Sequence, residues 1–220
     1  MMIGDIGADI VVPGIKILLP YAVIIGTQIE GMHAMSTFVA EYVEDLRRIL
    51  AGLDTEQLDK AIRWLRDARD AGRMIYTCGN GGSASIASQM VVDLVKGGSF
   101  GKPSRFRMMS LTDSIATLTA YGNDIDYASV FVEPLKNFAQ PGDVLIAVSG
   151  SGNSANVVQA VEYANEIGVK TIALTTNAGG RLREIAALPL VVPSNHMGRL
   201  EDSFFVMTHI LCYAFIEESN

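Results

Sequence analysis

Residues 142–157, GDVLIAVSGSGNSANV, decide the fold that the sequence predicts. Within this stretch, DVLIAVS at Asp143–Ser149 is apolar along almost its whole length, as expected for a β-strand buried on both faces. Glycine, serine and asparagine follow at residues 150–153, and a helical pattern then extends from residue 154 to 167. A buried strand that passes through a glycine-rich turn into a helix is typical of a parallel α/β sheet.

The same alternation of strands and helices extends to both sides. Two N-terminal helices come first: an apolar pattern from Phe38 to Leu53, then a helix that Asp54 and Gln57 begin and Gly72 ends. Four further strands are predicted at residues 74–78, 106–111, 170–175 and 188–192, and further helices at residues 83–96, 114–120, 128–138, 181–187 and 199–217. We therefore expect an α/β three-layer sandwich with a five-stranded parallel sheet and two extra N-terminal helices.

Length and composition restrict the class of protein. The chain has 220 residues, of which 49% are hydrophobic and 19% charged, which excludes an intrinsically disordered chain. The formal net charge of −7 argues against nucleic acid and anionic membranes as partners. Cys78 and Cys212 lie far apart, each in an apolar run. We interpret them as buried thiols in a reducing compartment, and we expect the cytoplasm.

The N-terminal segment contains an apolar run that could be a membrane span or a signal peptide. Residues 10–25, IVVPGIKILLPYAVII, are almost entirely apolar, but the run is too short for a membrane span and two prolines and a lysine interrupt it. Two aspartates precede it where a signal peptide has basic residues. Three alternatives stay open: a natural start at Met32 or Met35, an ordered segment that packs on a partner subunit, and a membrane anchor. We divide the chain into an extension, residues 1–35, and one domain, residues 36–220.

Two glycine-rich loops mark the expected ligand site. Residues 78–83, CGNGGS, follow the first predicted strand, and residues 149–154, SGSGNS, follow the third. In an open parallel sheet, ligands bind where the strands end and the loops enter helix N-termini. Glycine lets backbone N–H groups approach a ligand closely, and hydroxyls add donors. The pair therefore suits an anionic, hydroxyl-rich ligand such as a sugar phosphate, with ordinary turn formation as the alternative.

Neither loop is a nucleotide-binding motif. GNGGSA at residues 79–84 lacks the last glycine of the dinucleotide fingerprint, and the second strand ends without the acidic residue that holds a ribose. The sequence contains no P-loop pattern either. It therefore predicts no nucleotide cofactor.

Together these motifs resemble the sugar isomerase (SIS) domain. GNGGSA at residues 79–84, GND at 122–124, GDVLIAVSGSGNSANV at 142–157 and TTNAGGRL at 175–182 carry a resemblance that extends over about residues 36–218. More narrowly, they are similar to the phosphoheptose isomerase branch, whose members convert sedoheptulose 7-phosphate to D-glycero-D-manno-heptose 7-phosphate. The resemblance implies a flavodoxin-like fold, an aldose–ketose isomerase, a sugar-phosphate substrate and a cytoplasmic homotetramer.

The resemblance also implies the site residues. The catalytic acid and base fall on Asp93 and His209. The substrate contacts fall on Asn80, Gly81, Gly82, Ser83, Asn123, Asp124, Ser149, Gly150, Ser151, Ser154 and Glu201. The zinc ligands of the family fall on Gln89, Asp93, Glu201 and His209. The sequence departs from the family here, because Gln89 stands in place of a histidine, Asp93 in place of a glutamate and Glu201 in place of a glutamine.

The residues by themselves support part of this assignment. Gln89 and Asp93 are four residues apart and share a helix face, and Glu201 and His209, eight apart, nearly do. Isomerisation through an enediol needs a carboxylate base, a second acid–base group and an electrophilic group near the carbonyl oxygen. A neutral amide is a poor zinc ligand, so a harder metal or none is an alternative to zinc.

Structural roles are the alternatives for these side chains. His209 could be a hydrogen-bonded core histidine, and Asp93 an ordinary carboxylate on a helix face. Glu201 could be a carboxylate near a helix N-terminus, which the helix dipole favours. His196 follows the last predicted strand, where it could enter the site as a substitute or lie at the surface.

Other functions also stay open. A non-catalytic SIS protein, like the relative that associates with the replication initiator, would keep the loops and bind a phosphosugar or a partner protein. Asp93, Glu201 and His209 together favour the enzyme, whereas Gln89 favours this alternative. An isomerase of another phosphosugar is a third hypothesis, because the loops recognise phosphate and hydroxyl groups but not chain length.

Overall fold

The computed structural model describes residues 37–218 of the chain, so the predicted extension, residues 1–35, lies outside the described residues. The chain divides into two units, Met1–Val43 and Glu44–Asn220. Helix α1 covers residues 37–51, of which the first seven belong to the first unit. All other described elements belong to the second unit.

The second unit alternates strands and helices along the chain. Its strands are β1 (Met74–Gly79), β2 (Arg107–Ser110), β3 (Val144–Val148), β4 (Lys170–Thr176) and β5 (Leu188–Val192). Its helices after α1 are α2 (Thr55–Asp70), α3 (Gly82–Val92), a π-helix (Asp93–Gly97), α4 (Ile115–Asp124), α5 (Val132–Phe138), α6 (Ala155–Glu166), α7 (Gly180–Ile185) and α8 (Met197–Ile216). Within residues 37–218, no helix has the length and apolar character needed to cross a membrane.

The strands of the described residues form one parallel sheet in the order β2-β1-β3-β4-β5. In this register Ile75 of β1 pairs with Val144 of β3, which in turn pairs with Lys170 of β4. The order is that of flavodoxin-like folds, in which the chain winds from the centre of the sheet to both edges. The predicted five-stranded parallel sheet is confirmed.

Helices cover both faces of the sheet, as the continuous apolar strands require. On one face, α2, α3 and α8 pack against strand residues such as Ile75 and Ile146. On the other face, α5, α6 and α7 pack against Tyr76, Leu145 and Ala147. Successive residues of a strand point to opposite faces, so each central strand contributes to both cores. The result is the predicted three-layer arrangement.

Local signals at the ends of α2 act as the sequence predicts. The side chain of Asp54 accepts a hydrogen bond from Gln57 N at 3.1 Å and caps the helix. Gly72 follows the end of the helix with φ of +64°, a backbone conformation that glycine adopts without strain. Cys78 and Cys212 are both buried free thiols, as predicted.

A buried carboxylate joins the N-terminal ends of the two central strands. Asp143, immediately before β3, is 3% exposed. Its Oδ1 accepts from Met74 N at 3.0 Å, and its Oδ2 accepts from Gln140 N at 2.9 Å. An ionised carboxylate is a strong acceptor of backbone N–H groups. Asp143 therefore ties the start of β1 to the turn that leads into β3.

We predict that Asp143→Ala lowers the free energy of unfolding by about 1–3 kcal/mol, because it removes the acceptor of two backbone N–H groups. Urea denaturation followed by circular dichroism measures the change. Asp59→Ala on the exposed side of α2 is the matched control, for which we expect a change within about 0.5 kcal/mol. Equal stability of the two variants would contradict the role of Asp143.

Candidate functional site

The two glycine-rich loops lie side by side at the carboxyl edge of the sheet. Loop 1, residues 79–83, leads from β1 into α3, and loop 2, residues 149–154, leads from β3 into α6. The strands β1 and β3 are neighbours, but α3 and α6 cover opposite faces of the sheet. The loops therefore diverge and leave a crevice at the point where the strand order reverses, which is where open α/β sheets bind ligands.

A pair of asparagine side chains joins the two loops. Asn80 Nδ2 donates to Asn156 Oδ1 and Asn156 Nδ2 donates to Asn80 Oδ1, both at 2.9 Å. Tyr127 Oη also donates to Asn80 Oδ1, at 3.0 Å. Asn156 is buried in the first turn of α6, and Val157 N donates to its Oδ1 at 3.0 Å. The sequence motifs do not single out Asn156 or Tyr127, although Asn156 lies only two residues after loop 2.

Loop 2 has its shape because a second turn supports it. Gly152 has φ of +65°, and a Cβ there would lie 1.8 Å from Gly179 O. Leu182 N donates to Gly152 O at 2.9 Å, and Arg181 N donates to Asn153 Oδ1 at 3.0 Å. The turn before α7 therefore packs directly against the backbone of loop 2, and only glycine fits at the contact.

The hydroxyl groups of loop 2 surround the N-terminus of α6. Ser149 Oγ accepts from Gly152 N at 3.1 Å and lies 3.4 Å from Ser154 Oγ. Ser151 is exposed, and its Oγ accepts from Asn153 N at 3.2 Å. These serines and the helix N-terminus together offer several donors to an oxygen-rich anion.

The helices that leave the two loops lack side-chain caps within the described structure. Gly81 precedes α3 and Ser154 precedes α6, and neither makes a capping side-chain hydrogen bond. By contrast Asp54 caps α2, and His196 Nδ1 accepts from Arg199 N at 3.4 Å and caps α8. Helices α4, α5 and α7 also lack side-chain caps among the described residues. In α3, Ser83 N and Ala84 N already donate to Asn80 O and Gly81 O, so a ligand at these helix ends can use the remaining first-turn N–H groups. For His196 the structure provides a role as a helix cap.

Asp93 and His209 meet at the C-terminal end of α3, about 16 Å along the helix from loop 1. Asp93 follows the last residue of α3, and His209 lies on α8, which packs against α3. His209 Nε2 is 3.7 Å from Asp93 Oδ2, and the side chains are 48% and 16% exposed, respectively. Gln89 Nε2 donates to the other carboxylate oxygen, Asp93 Oδ1, at 3.0 Å. A carboxylate and an imidazole at this separation can exchange protons with a substrate that reaches both of them.

Asp93 also begins a π-helical turn, where the sequence predicts an uninterrupted helix. Gly98 N donates to Asp93 O at 2.8 Å across five residues. A Cβ on Gly97 would lie 2.9 Å from Ile216 Cδ1, so the end of α8 approaches the turn closely. Single π-turns inside helices occur frequently at functional sites.

Buried thiols near the site are unreactive. Burial raises the pKa of the Cys78 thiol to about 12. Burial, together with the nearby charge of Asp93, raises the pKa of Cys212 well above its ordinary value. Both thiols therefore stay protonated near neutral pH and cannot act as nucleophiles. Cys212 instead forms part of the apolar wall next to Asp93.

Helix α8 contacts both loops. A Cβ on Gly82 would lie 2.4 Å from Glu201 Oε1, so the Glu201 carboxylate lies against the start of α3. A Cβ on Gly150 would lie 3.0 Å from Leu200 Cδ2. Both glycines therefore allow α8 to approach closely. Glu201 lies where it can contact a ligand of loop 1 and where the dipole of α3 favours its negative charge.

Asn123 and Asp124 are two of the predicted substrate contacts. They end α4 and are exposed, and Asn123 Nδ2 donates to Asp124 Oδ1 at 2.8 Å. Among the hydrogen bonds of the described residues, none joins them to loop 1 or loop 2. The segment after α4 reaches loop 1 through Tyr127 instead.

The residues at the implied zinc positions do not fit a zinc site. Gln89 turns its amide nitrogen towards Asp93, and His209 is the single imidazole of the set. Zinc in proteins prefers imidazole and thiolate ligands. Across residues 37–218, no group of three His, Cys, Asp or Glu side chains is arranged to hold a metal ion. We therefore derive no step of the chemistry through zinc.

Comparison with known proteins gives a consistent match. The family model of the SIS domain matches residues 39–176. A phosphoheptose isomerase of Akkermansia muciniphila is 36% identical over 155 residues, which are 70% of this chain and 82% of that protein. The structure of a phosphoheptose isomerase from Neisseria gonorrhoeae has a TM-score of 0.76 and 27% identity, with 85% of this chain and 99% of that one covered. The structure of a phosphoheptose isomerase from Francisella tularensis has a TM-score of 0.78 and 25% identity, with 86% of this chain and 99% of that one covered.

We predict that Gly152→Ala destabilises the fold more than Gly168→Ala. Both glycines have positive φ, but a Cβ at residue 168 meets only Pro141 Cβ, at 3.8 Å. Gly168→Ala is therefore the control for the backbone strain alone, which should lower the free energy of unfolding by about 1–2 kcal/mol. Gly152→Ala adds the clash with Gly179 O. Chemical denaturation measures both, and equal losses would show that loop 2 is not held by the turn before α7.

Proposed function

The chain belongs to the SIS domain family, and on this premise we propose that it is an aldose–ketose isomerase that converts sedoheptulose 7-phosphate into D-glycero-D-manno-heptose 7-phosphate. The observation that carries the proposal is the Asp93–His209 pair, with 3.7 Å between Oδ2 and Nε2, in a domain that also has two loops suited to a phosphosugar. The names of the relatives, which are phosphoheptose isomerases, support the reaction and the substrate.

We also propose that residues 36–220 form the SIS domain and residues 1–35 an extension.

We assign the phosphate group to loop 2 and the reacting end of the sugar to loop 1. Ser149, Ser151 and Ser154 with Gly150 and the N-terminus of α6 offer hydroxyl and N–H donors without a lysine or arginine. Loop 1 offers Asn80, Gly81, Gly82 and Ser83 to the sugar hydroxyls, together with Glu201 on α8. Asn123 and Asp124 stay proposed contacts.

Asp93 and His209 together can perform the proton transfers. In the open-chain ketose, the Asp93 carboxylate takes a proton from C1, and the C1–H electrons form the C1–C2 double bond. The electron pair of the C2 carbonyl moves to its oxygen, which takes a proton from protonated His209, and an enediol results. Asp93 then returns its proton to C2 while the C1 hydroxyl returns a proton to His209, which leaves the aldehyde. Glu201 can orient the sugar hydroxyls during both transfers.

We propose that the protein is a homotetramer, as the resemblance implies. All residues of α4 are described, and none is fully buried, although Leu118 and Tyr121, both partly buried, pack against the core. Ile115 is 74% exposed, and Phe100, after the π-helix, is 78% exposed. Large exposed apolar side chains are typical of interaction surfaces, so we infer that a second copy of the chain covers Ile115 and Phe100. The two free buried thiols support a reducing compartment, and we propose the cytoplasm.

We predict that wild-type protein forms the aldose from sedoheptulose 7-phosphate, and that Asp93→Asn and His209→Ala each lower kcat by roughly 10²- to 10⁴-fold. Asp67→Asn on the exposed face of α2 is the control and should leave kcat unchanged. Isothermal titration should detect sugar-phosphate binding in all four proteins, because loop 2 is intact. Binding without turnover by the wild type would instead support the non-catalytic alternative.

We predict that Ile115→Asp dissociates the assembly, because it places a charge in the surface that the second copy covers. Light scattering coupled to size exclusion measures the mass. Gln159→Asp on the exposed face of α6 adds the same charge elsewhere and should leave the mass unchanged. A wild-type protein with the mass of one chain would refute the tetramer.

A further inference from the structure

The Asp93 carboxylate is held from one side only. Gln89 Nε2 donates to Oδ1 at 3.0 Å, one helical turn before Asp93. The second oxygen, Oδ2, is buried and makes no hydrogen bond among the described residues, and it lies 3.7 Å from His209 Nε2. One oxygen is thus fixed by Gln89, and the other faces His209 without a hydrogen bond to any described residue. This division is what a general base requires.

The nature of residue 89 explains how the carboxylate is oriented. An ionised carboxylate can only accept, so the group that faces Asp93 Oδ1 must be the amide N–H₂ of Gln89. The amide is neutral and does not change protonation, and its position in α3 is set by the helix that also carries Ile86 and Met90 in the core. Gln89 therefore fixes a rotamer of Asp93 without a cation.

We propose that Gln89 is a positioning residue that orients Asp93 without a metal ion, so that this chain isomerises its substrate without zinc at Asp93. The kinetic part of the inference rests on the function proposed above. The metal-binding part rests on the side chains alone. Gln89 acts only through Asp93, because it carries no group that can accept or release a proton near neutral pH.

The first test measures zinc directly and needs no substrate. Wild type, Gln89→His and Asp93→Asn are dialysed to equilibrium against micromolar zinc chloride, and bound zinc per chain is determined by elemental analysis. We expect the wild type to hold no more zinc than Asp93→Asn, and Gln89→His to bind at least tenfold more than the wild type. One zinc per wild-type chain that Asp93→Asn loses would overturn the proposal. A Gln89→His protein that gains no zinc would refute the role of residue 89.

The second test separates orientation from space filling. Gln89→Met keeps the length of the side chain but removes the donor, so we expect kcat to fall roughly 10- to 100-fold while KM changes less than about twofold. Gln159→Met, on the exposed face of α6, is the matched control and should leave both constants unchanged. Treatment with a chelator followed by zinc-free dialysis should leave the wild-type kcat unchanged.

The outcomes separate this inference from the proposed function. A wild type without turnover on sedoheptulose 7-phosphate removes the function, whereas the zinc measurement still decides whether Asp93 holds a metal. If the wild type is active but Gln89→Met keeps full kcat, Gln89 fills space only and the inference is wrong. If chelation abolishes the wild-type rate and zinc restores it, the inference is also wrong, while the isomerase function stands.

Discussion

The reversal of strand order between β1 and β3 is the constraint on which the site depends. Because β1 and β3 pair directly while their helices cover opposite faces of the sheet, their loops must separate and a crevice opens between them. Asn80 and Asn156 bridge this divergence with two hydrogen bonds of 2.9 Å. The amide pair thus sets the distance between a loop assigned to phosphate and a loop assigned to the reacting carbons.

Backbone groups resolve the conflict between an acidic protein and an anionic ligand. The net charge is −7, yet loop 2 can hold an anion through N–H groups and hydroxyls, which need no lysine. Binding through backbone groups requires main chains to approach closely, and the contact between Gly152 and Gly179 O leaves no room for a Cβ. Residue 152 therefore tolerates no larger side chain. A glycine there also loses more conformational entropy on folding than other residues do.

The sequence predicts features that depend on neighbouring residues, but it does not predict contacts between distant elements. The cap at Asp54, the stop at Gly72 and the apolar strands depend on neighbouring residues or on periodicity, and the structure confirms them. The Asn80–Asn156 pair joins residues 76 positions apart, and the π-helix at Asp93 accompanies a close approach of the end of α8. Both depend on how elements pack, which no local pattern encodes. The pairing of Asp93 with His209 was anticipated only because a family resemblance placed them together.

Two of the three departures from the family, those at residues 89 and 201, are compatible in charge. A carboxylate near an enediol needs a neighbour that offsets its charge, and a dication normally serves two carboxylates at once. Here Asp93 has the Gln89 amide at 3.0 Å and His209 at 3.7 Å. Glu201 lies against Gly82 at the start of α3, where the helix dipole favours a negative charge. Each carboxylate thus has its own partner, so the glutamate at residue 201 and the amide at residue 89 are compatible in one site without a shared metal ion.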